Sequence, residues 1–192
     1  MSGHFKPVAL EHASRLINHG PTVLVTSAHA GRRNIMAAAW SMPVEFTPPR
    51  VAVVIDKRTY TRELVAASGA FALCLPGALL ADLTFAVGSE SGRDLDKFAR
   101  HGIAATAGPV LGMPVLQAGC AAWLECRLIP EPHTEDAYDT CFAEVLAAAA
   151  DERIFSGGRW DFRDDNRDLQ TLHHLGAGRF VRAGGVIQAH RP

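Results

Sequence analysis

The hydrophobic positions follow two rhythms, one close to helical spacing and one of short apolar runs broken by turn residues. In LEHASRLINHG, Leu10, Ala13, Leu16 and Ile17 recur at helical spacing and Gly20 lies just beyond, which predicts a short helix with a glycine stop. TVLVTS has the β-branched content of a strand. The polar HAGRR with Gly31 then supplies a hairpin connection to a second strand starting near Asn34. FTPPR acts as a hinge, because consecutive prolines fix the backbone and remove ladder donors, and VAVVI resumes as a buried strand. From Tyr60 to Ser68, the spacing of Leu64, Val65 and Ala67 predicts a helix ending near Gly69. Thr59 or Thr61 is positioned to cap it, Glu63 sits in its first turn, and FALCL is the next strand.

Further on, LLADLTFAVGSESGRDLDKFARHG reads as a helix, a glycine-serine loop and a second short helix, followed by a connection punctuated by Gly108, Pro109, Gly112 and Pro114. AAWLECRLIPE and DTCFAEVLAAAAD are two strands separated by the polar PHTEDAY, expected to pair as an antiparallel hairpin. The alanines of the second run would equally suit a helix, and strand is chosen because short β-segments surround it. In the tail, IFSGGRW turns at Gly157 and Gly158, and DFRDDNRD reads as a solvated loop. LQTLHHLGAGRFVRAGGVI suggests one helical turn, a glycine break and a last short strand.

At 192 residues the chain suits a single domain, 1–192, with a substantial core. A net charge of -1 offers no general attraction to nucleic acid or to an anionic membrane, so neither is expected as a partner. The longest apolar stretch, AFALCLPGALLADLTFAV, is broken by Pro76 and Gly77 and carries Asp82, which argues against a membrane span. The N-terminal stretch lacks an apolar core of signal-peptide length. Cys74, Cys120, Cys126 and Cys141 form no CxxC pair and read as buried free thiols, consistent with a cytoplasmic location.

The stretch NIMAAAWSMPVEFTPPRVAVVIDKRTYT carries the candidate chemistry. A strand bearing Ala37, Ala38 and Ala39 has little side chain on either face, so a planar ring system can approach its backbone closely. Lys57, Arg58, Thr59 and Thr61 offer two cations and two hydroxyls at a helix start, where free amides also favour an anion. A planar heterocycle at one end and a phosphate at the other describe flavin mononucleotide. An ordinary buried strand, a proline turn and a charged helix start account for the same residues.

Order and spacing add to this reading. PTVLVTS, NIMAAAWSMPVEFTPPRVAVVI, KRTYTRELVAASGAFALCLPG and SGRDLDKF occur together in a way that resembles the flavin reductase-like, FMN-binding family, especially its flavoredoxin-type branch. The resemblance is strongest from Pro21 to Gly77 and weaker after Gly108. It implies a mainly β fold with short helices, an antiparallel split β-barrel, usually dimeric, with the flavin near the subunit boundary. It also implies backbone contacts to the ring from Asn34, Met36, Ala37, Ala38, Ala39, Trp40 and Ser41. Phosphate-side contacts would come from Lys57, Arg58, Thr59, Tyr60 and Thr61. Ser91, Gly92, Arg93 and Lys97 become further cofactor contacts, with Phe98 as a ring neighbour.

The expected activity is FMN-dependent oxidoreduction of the NAD(P)H:flavin reductase type, with NAD(P)H as a transient electron donor. A flavoredoxin-like carrier reduced by an electron-transfer protein partner, and a split-barrel binding module without reductase activity, remain as alternatives. No catalytic side chain is assigned, because the cofactor carries the redox step. His29 and Cys74 receive no chemistry. Adjacent His173 and His174 point apart on any regular element, and Cys120 and Cys126 lack zinc-ligand spacing, so no metal is expected. GSESG has Glu90 where a nucleophile elbow needs serine. GAGRFVRAGG follows no strand of a βαβ unit, so any pyridine nucleotide binds without a Rossmann domain.

Overall fold

The computed structural model describes residues 3–191; Met1, Ser2 and Pro192, the outermost residues of the N-terminal stretch and tail read above, lie outside it. The chain runs through β1 (Phe5–Pro7), a 3-10 helix (Leu10–Leu16), β2 (Val23–His29), β3 (Arg32–Ala38), β4 (Ser41–Phe46), β5 (Pro49–Val54), α1 (Tyr60–Ser68) and β6 (Ala70–Pro76). Helices α2 (Ala81–Ser89) and α3 (Lys97–Arg100) follow, then the two-residue strands β7 (Thr106–Ala107) and β8 (Pro114–Val115). β9 (Cys120–Ile129), α4 (Pro132–Tyr138) and β10 (Thr140–Asp151) come next. Two small hairpins end the chain: β11 (Phe155–Ser156) with β12 (Arg159–Trp160), and β13 (Leu172–Gly176) with β14 (Arg179–Arg182).

The main sheet has the order β3-β2-β6-β9-β10-β5-β4, with β1 also paired to β10, and every pairing in it is antiparallel. Strands β3 and β4 stand at opposite ends of this order, yet only Ala39 and Trp40 separate them in the chain. A link of that length spans at most about 10 Å, so the sheet curls until its two ends meet at Trp40 without closing into a continuous ladder. The fold is mainly β with short helices, a split barrel.

Local chemistry explains the elements. The β2–β3 hairpin turns through Ala30 (φ 47°) and Gly31 (φ 77°), both left-handed, as a two-residue turn between right-twisted strands requires. Helix α1 begins at Thr59, whose Oγ1 accepts the Arg62 amide, and ends at Gly69 in the left-handed region. The alanine-rich run of β10 is a strand. Its partners on both sides, β9 and β5, supply a ladder that outweighs alanine's helix preference.

β2, β6 and β9 read as apolar on both pleats because both faces are covered. Val23, Val25, Phe71, Leu73, Leu75 and Leu124 fill the barrel interior with Val51 and Val53. Leu24, Ala72, Cys74 and Trp123 face outward and pack under Val87, Phe98, Met113 and Leu116. Each fully buried side chain of this size stabilises by roughly 1.5–3 kcal/mol. Glu125, fully buried on β9, is balanced by accepting the amides of Val110, Leu111 and Met113 at 2.8, 3.0 and 3.1 Å, which pins the loop before β8 to the sheet.

The expected first short helix is present and is of the 3-10 type. Several other expectations are corrected. PHTEDAY is not merely a polar connection but contains α4, opened by Pro132. DFRDDNRD contains a 3-10 helix (Asp164–Leu169) anchored by Asn166, whose buried amide donates to the carbonyls of Arg153 and Asp161. The expected helical turn around His173 is strand β13. Residues 176–178 all take positive φ and fold β14 back onto β13, so the ladder prevails over a helical turn.

Candidate functional site

The edge strand β3 is the floor of a groove walled by the first turn of α1, the C-terminal end of α2 and the 89–92 loop. One cavity of about 330 Å³ gathers Asn34, Met36, Ala37, Arg58, Thr59 and Tyr60. Thr61, from the KRTYT stretch, and Ser91, Gly92 and Lys97, from SGRDLDKF, line the same space. A second cavity of about 280 Å³ continues along the strand past Ala37, Ala38 and Ala39, and shares Ala37, Gly88 and Ser89 with the first.

The polar floor is built from side chains with defined tasks. Asn34, 3% exposed, donates from Nδ2 to Thr61 Oγ1 at 2.9 Å and so joins β3 to α1. That bond leaves the Thr61 hydroxyl hydrogen without an acceptor among the described residues. Thr59 Oγ1 is committed to the cap, donating to the Asp56 carbonyl at 2.8 Å and accepting the Arg62 amide at 3.2 Å. The cap does not take up the first-turn amides of Tyr60 and Thr61, the groups a helix start leaves for an outside acceptor. Gly92 lies so close to Asn34 that a Cβ there would sit 2.1 Å from Oδ1. Only glycine lets the 91–93 loop close on the strand.

Lys97 supplies the buried cation. Its Nζ donates to the carbonyls of Ile35 (2.9 Å) and Val87 (2.7 Å), which occupies two of its three hydrogens and ties α3 to β3 and α2. Burial pulls its ammonium down to about 8, and the Glu90 carboxylate opposes that shift. Glu90 is itself held below the ordinary carboxylate range, chiefly by its hydrogen bond with His101 at 2.7 Å. Asp56, a negative charge beside the basic cluster, is paired with Arg58 at 2.7 Å, and hydrogen bonds from the Arg58 side chain and backbone lower its carboxyl to about 2.

Other predicted residues lie apart from the groove. Lys57 turns toward α4, donating to the Asp136 carbonyl and lying 3.6 Å from Asp139. Trp40 is 74% exposed at the β3–β4 link, and Ser41 opens β4. Arg93 pairs with Glu63 outside the first cavity. Phe98 is buried in the outer core beneath the Arg33 guanidinium, 4.3 Å away, and lines neither cavity. Ala37 and Ala38, by contrast, both line the second cavity, but the Ala38 side chain packs into the barrel interior, whereas Ala37 faces α2, where a Cβ on Gly88 would lie 3.2 Å from its own.

Sequence reasoning missed the walls of the second cavity. Thr84, Phe85 and Gly88 come from α2, and His174 and Phe180 from the β13–β14 hairpin. Thr84 and Gly88, one helical turn apart, were the available signal for α2. Reading β13 as a helical turn concealed the hairpin.

Among the described residues, no group of three or more histidine, cysteine, aspartate or glutamate side chains is arranged to hold a metal ion, and no helix is long and apolar enough to cross a membrane. All four cysteines are buried and unpaired, with burial pushing the Cys74 thiol up to about 12.

Comparison with known proteins gives a consistent picture. Residues 15–167 match the model of the flavin reductase like domain. An uncharacterised Escherichia coli (strain K12) protein, YddH, is 57% identical over 187 residues, covering 96% of this chain and 98% of its own length. The crystal structure of an FMN-binding domain of a flavin reductases-like enzyme from Shewanella baltica superposes with a TM-score of 0.93 at 41% identity, covering 97% of each chain. Flavoredoxin of Desulfovibrio vulgaris (Miyazaki F) gives a TM-score of 0.75 at 25% identity, over 88% of this chain and 90% of its own.

Proposed function

The chain belongs to the flavin reductase-like family, and on that premise we propose that its groove holds FMN and that the protein is an FMN-dependent oxidoreductase using NAD(P)H as electron donor. The observation that carries the proposal is the convergence of Asn34, Thr61, Gly92 and Lys97 on one cavity that continues, past Ala37 and Gly88, into a second space floored by the alanines of β3 and walled by Phe85, His174 and Phe180.

The residues present fit the cofactor. Asn34 Oδ1 and Tyr60 Oη are buried without a hydrogen-bond partner among the described residues, as expected where a polar ligand completes a network. The amides of Tyr60 and Thr61, the Thr61 hydroxyl and the third hydrogen of Lys97 suit the phosphate. The small side chains of Ala37 and Gly88 let a flat ring approach β3. FMN, when bound, supplies reversible one- and two-electron redox chemistry. The chain's own contribution is to bind, orient and shield it, so no catalytic acid or base is assigned.

The structural likeness to flavoredoxin supports a second reading, a carrier that exchanges electrons with a protein partner. For assembly, the supporting feature is the apolar row Trp40, Met42, Val44 and Phe46. These residues are 74, 57, 39 and 71% exposed along the edge strand β4 and its entry, and a homodimer would cover such a stripe. Four unpaired buried thiols suit a reducing cytoplasm.

A visible spectrum followed by anaerobic titration tests the reading. Reductase function requires a flavin spectrum that bleaches on adding NADH or NADPH alone. Bleaching only with a reduced protein partner favours the carrier, and absence of flavin binding overturns both in favour of a binding module without redox activity.

A further inference from the structure

Past the polar end of the groove lies a third cavity, of about 320 Å³, used by nothing described so far. It meets the groove at Tyr60 and Gly92, which line both spaces. We propose that this cavity is a subsite for an adenosine 5′-phosphate group, the adenylate half of a dinucleotide whose other half lies in the groove; the proposal rests on the flavin reading of that groove.

Three features match the three parts of an adenylate. For the base, the cavity presents flat cationic surfaces. The Arg32 guanidinium lies 5.2 Å from the centre of the Tyr60 ring, and that of Arg93 lies 5.6 Å from it. Arg33 lies over Phe98 beside them. Guanidinium planes backed by aromatic rings are stacking surfaces for a purine. The Arg32 side chain has no carboxylate partner and no hydrogen bond among the described residues, so its planar group is available at the exposed start of β3.

For the phosphate, Arg93 stands at the junction with the groove, fixed there by Glu63 and by a hydrogen bond to the Arg58 carbonyl at 3.4 Å. A pyrophosphate crossing from groove to cavity passes this guanidinium. For the ribose, Asp94 lines the cavity and makes no ion pair among the described residues. Asp96 is already occupied, capping α3 through the Phe98 and Ala99 amides and lying 3.9 Å from Arg33. A free carboxylate accepts hydrogen bonds from ribose hydroxyls and repels a 2′-phosphate, as acidic residues do in other dinucleotide sites. The mixture of three arginines with two aspartates is too polar for an apolar ligand and too balanced for a bare polyanion.

Such an adenylate could belong to FAD, in place of FMN, or to the nicotinamide donor, and two arms separate these sources. In the first, protein stripped of flavin is titrated with FMN and with FAD by fluorescence, as wild type and as Arg32→Ala. If the source is FAD, FAD binds about tenfold tighter than FMN, the scale of one charge-assisted or stacking contact. Arg32→Ala then removes that advantage and leaves FMN affinity within about twofold. In the second, KM is compared for NADH and for reduced nicotinamide mononucleotide, which lacks the adenylate. If the source is the donor, NADH has the lower KM, Arg32→Ala brings the two together, and NADH is preferred over NADPH.

An Arg32-dependent gain in either arm supports the subsite. Equal behaviour of wild type and Arg32→Ala in both arms overturns it. If neither flavin binds, the flavin reading has failed by itself. The adenylate subsite is then judged by AMP alone, whose saturation-transfer NMR signal must be present with wild type and lost with Arg32→Ala, and its absence with wild type overturns the subsite too.

Discussion

Asn34 on β3 donates its side-chain amide to Thr61 in the first turn of α1, 27 residues later, at 2.9 Å. This bond joins the strand that floors the groove to the helix start at its polar end, so both residues serve the fold and the site together. A neutral buried hydrogen bond of this kind contributes about 1 kcal/mol, and leaving one partner unpaired costs more. Asn34→Ala and Thr61→Ala are therefore each expected to lower stability by about 1–2 kcal/mol, with the double variant costing less than their sum. Thr61→Ala should also weaken FMN by more than it weakens riboflavin, which lacks the phosphate. Thermal melts and parallel fluorescence titrations check both statements.

Ala37 and Gly88 stand where the two cavities join. Ala37→Leu is expected to weaken both FMN and riboflavin by at least about tenfold, because added methylenes in a tight space cost about 1–3 kcal/mol. Because Ala37 is half-buried against α2, a loss of stability smaller than that at a fully buried position accompanies this. Ala38→Leu should act chiefly on the fold, with a larger fall in melting temperature, since the Ala38 side chain packs into the barrel interior. Melting curves and flavin titrations on both variants separate the two faces.

Lys97 gives the site a pH dependence. Its folded ammonium lies at about 8 against 10.5 unfolded, so between those values the unfolded chain binds more protons and stability rises with pH. Below about 8 both states are protonated, and the burial penalty is fully present. Compared with Lys97→Met, the free wild-type protein should gain stability from pH 8 to 10.5. FMN affinity should fall over that range as the phosphate loses its cationic neighbour, while riboflavin affinity stays level. Urea unfolding and flavin titrations across pH, on wild type and Lys97→Met, measure the two slopes.

Glu125 offers a stability change that leaves the site alone. Its carboxylate accepts three amides, and the amide nitrogen of Glu125→Gln would confront one or two of them, a cost of about 3 kcal/mol. For a chain of this size that is a fall in melting temperature of about 6–12 °C. FMN affinity below the transition should not change, because the 108–113 loop lines neither groove cavity.

The row of Trp40, Met42, Val44 and Phe46 provides a test of assembly. Phe46→Glu, at a position 71% exposed in the protomer, is expected to convert a dimer to a monomer with a stability change within about 0.5 kcal/mol. Light scattering measures the mass, and an unaltered mass at low micromolar concentration removes the stripe from the interface.

Much of this fold is legible in sequence because local rules and tertiary contacts agree. The β2–β3 hairpin has its glycine, α1 has its cap and its glycine stop, and β6 and β9 are apolar on both pleats because the barrel and the outer helices cover both. The polar end of the groove is legible in part: Thr61 stands in a local cluster of hydroxyls and cations at a helix start, whereas Gly92 and Lys97 are reached through the family resemblance, their own segment reading locally as a solvated cap. What is not legible depends on distant partners. The alanines of β3 look alike in sequence, yet the pleat sends Ala38 inward and Ala37 toward α2. Lys57 and Arg58 are neighbours, but Asp136 and Asp139 draw the first away. The His173 region becomes a strand only because Arg179–Arg182 returns to pair with it.

The account is tested most directly by a crystal structure of the protein soaked with FMN. The expected result is the flavin ring against β3 at Ala37, with its phosphate between the first turn of α1 and Lys97. Density for FMN elsewhere, or a groove that stays empty or is filled by the chain's own side chains at saturating FMN, would contradict it.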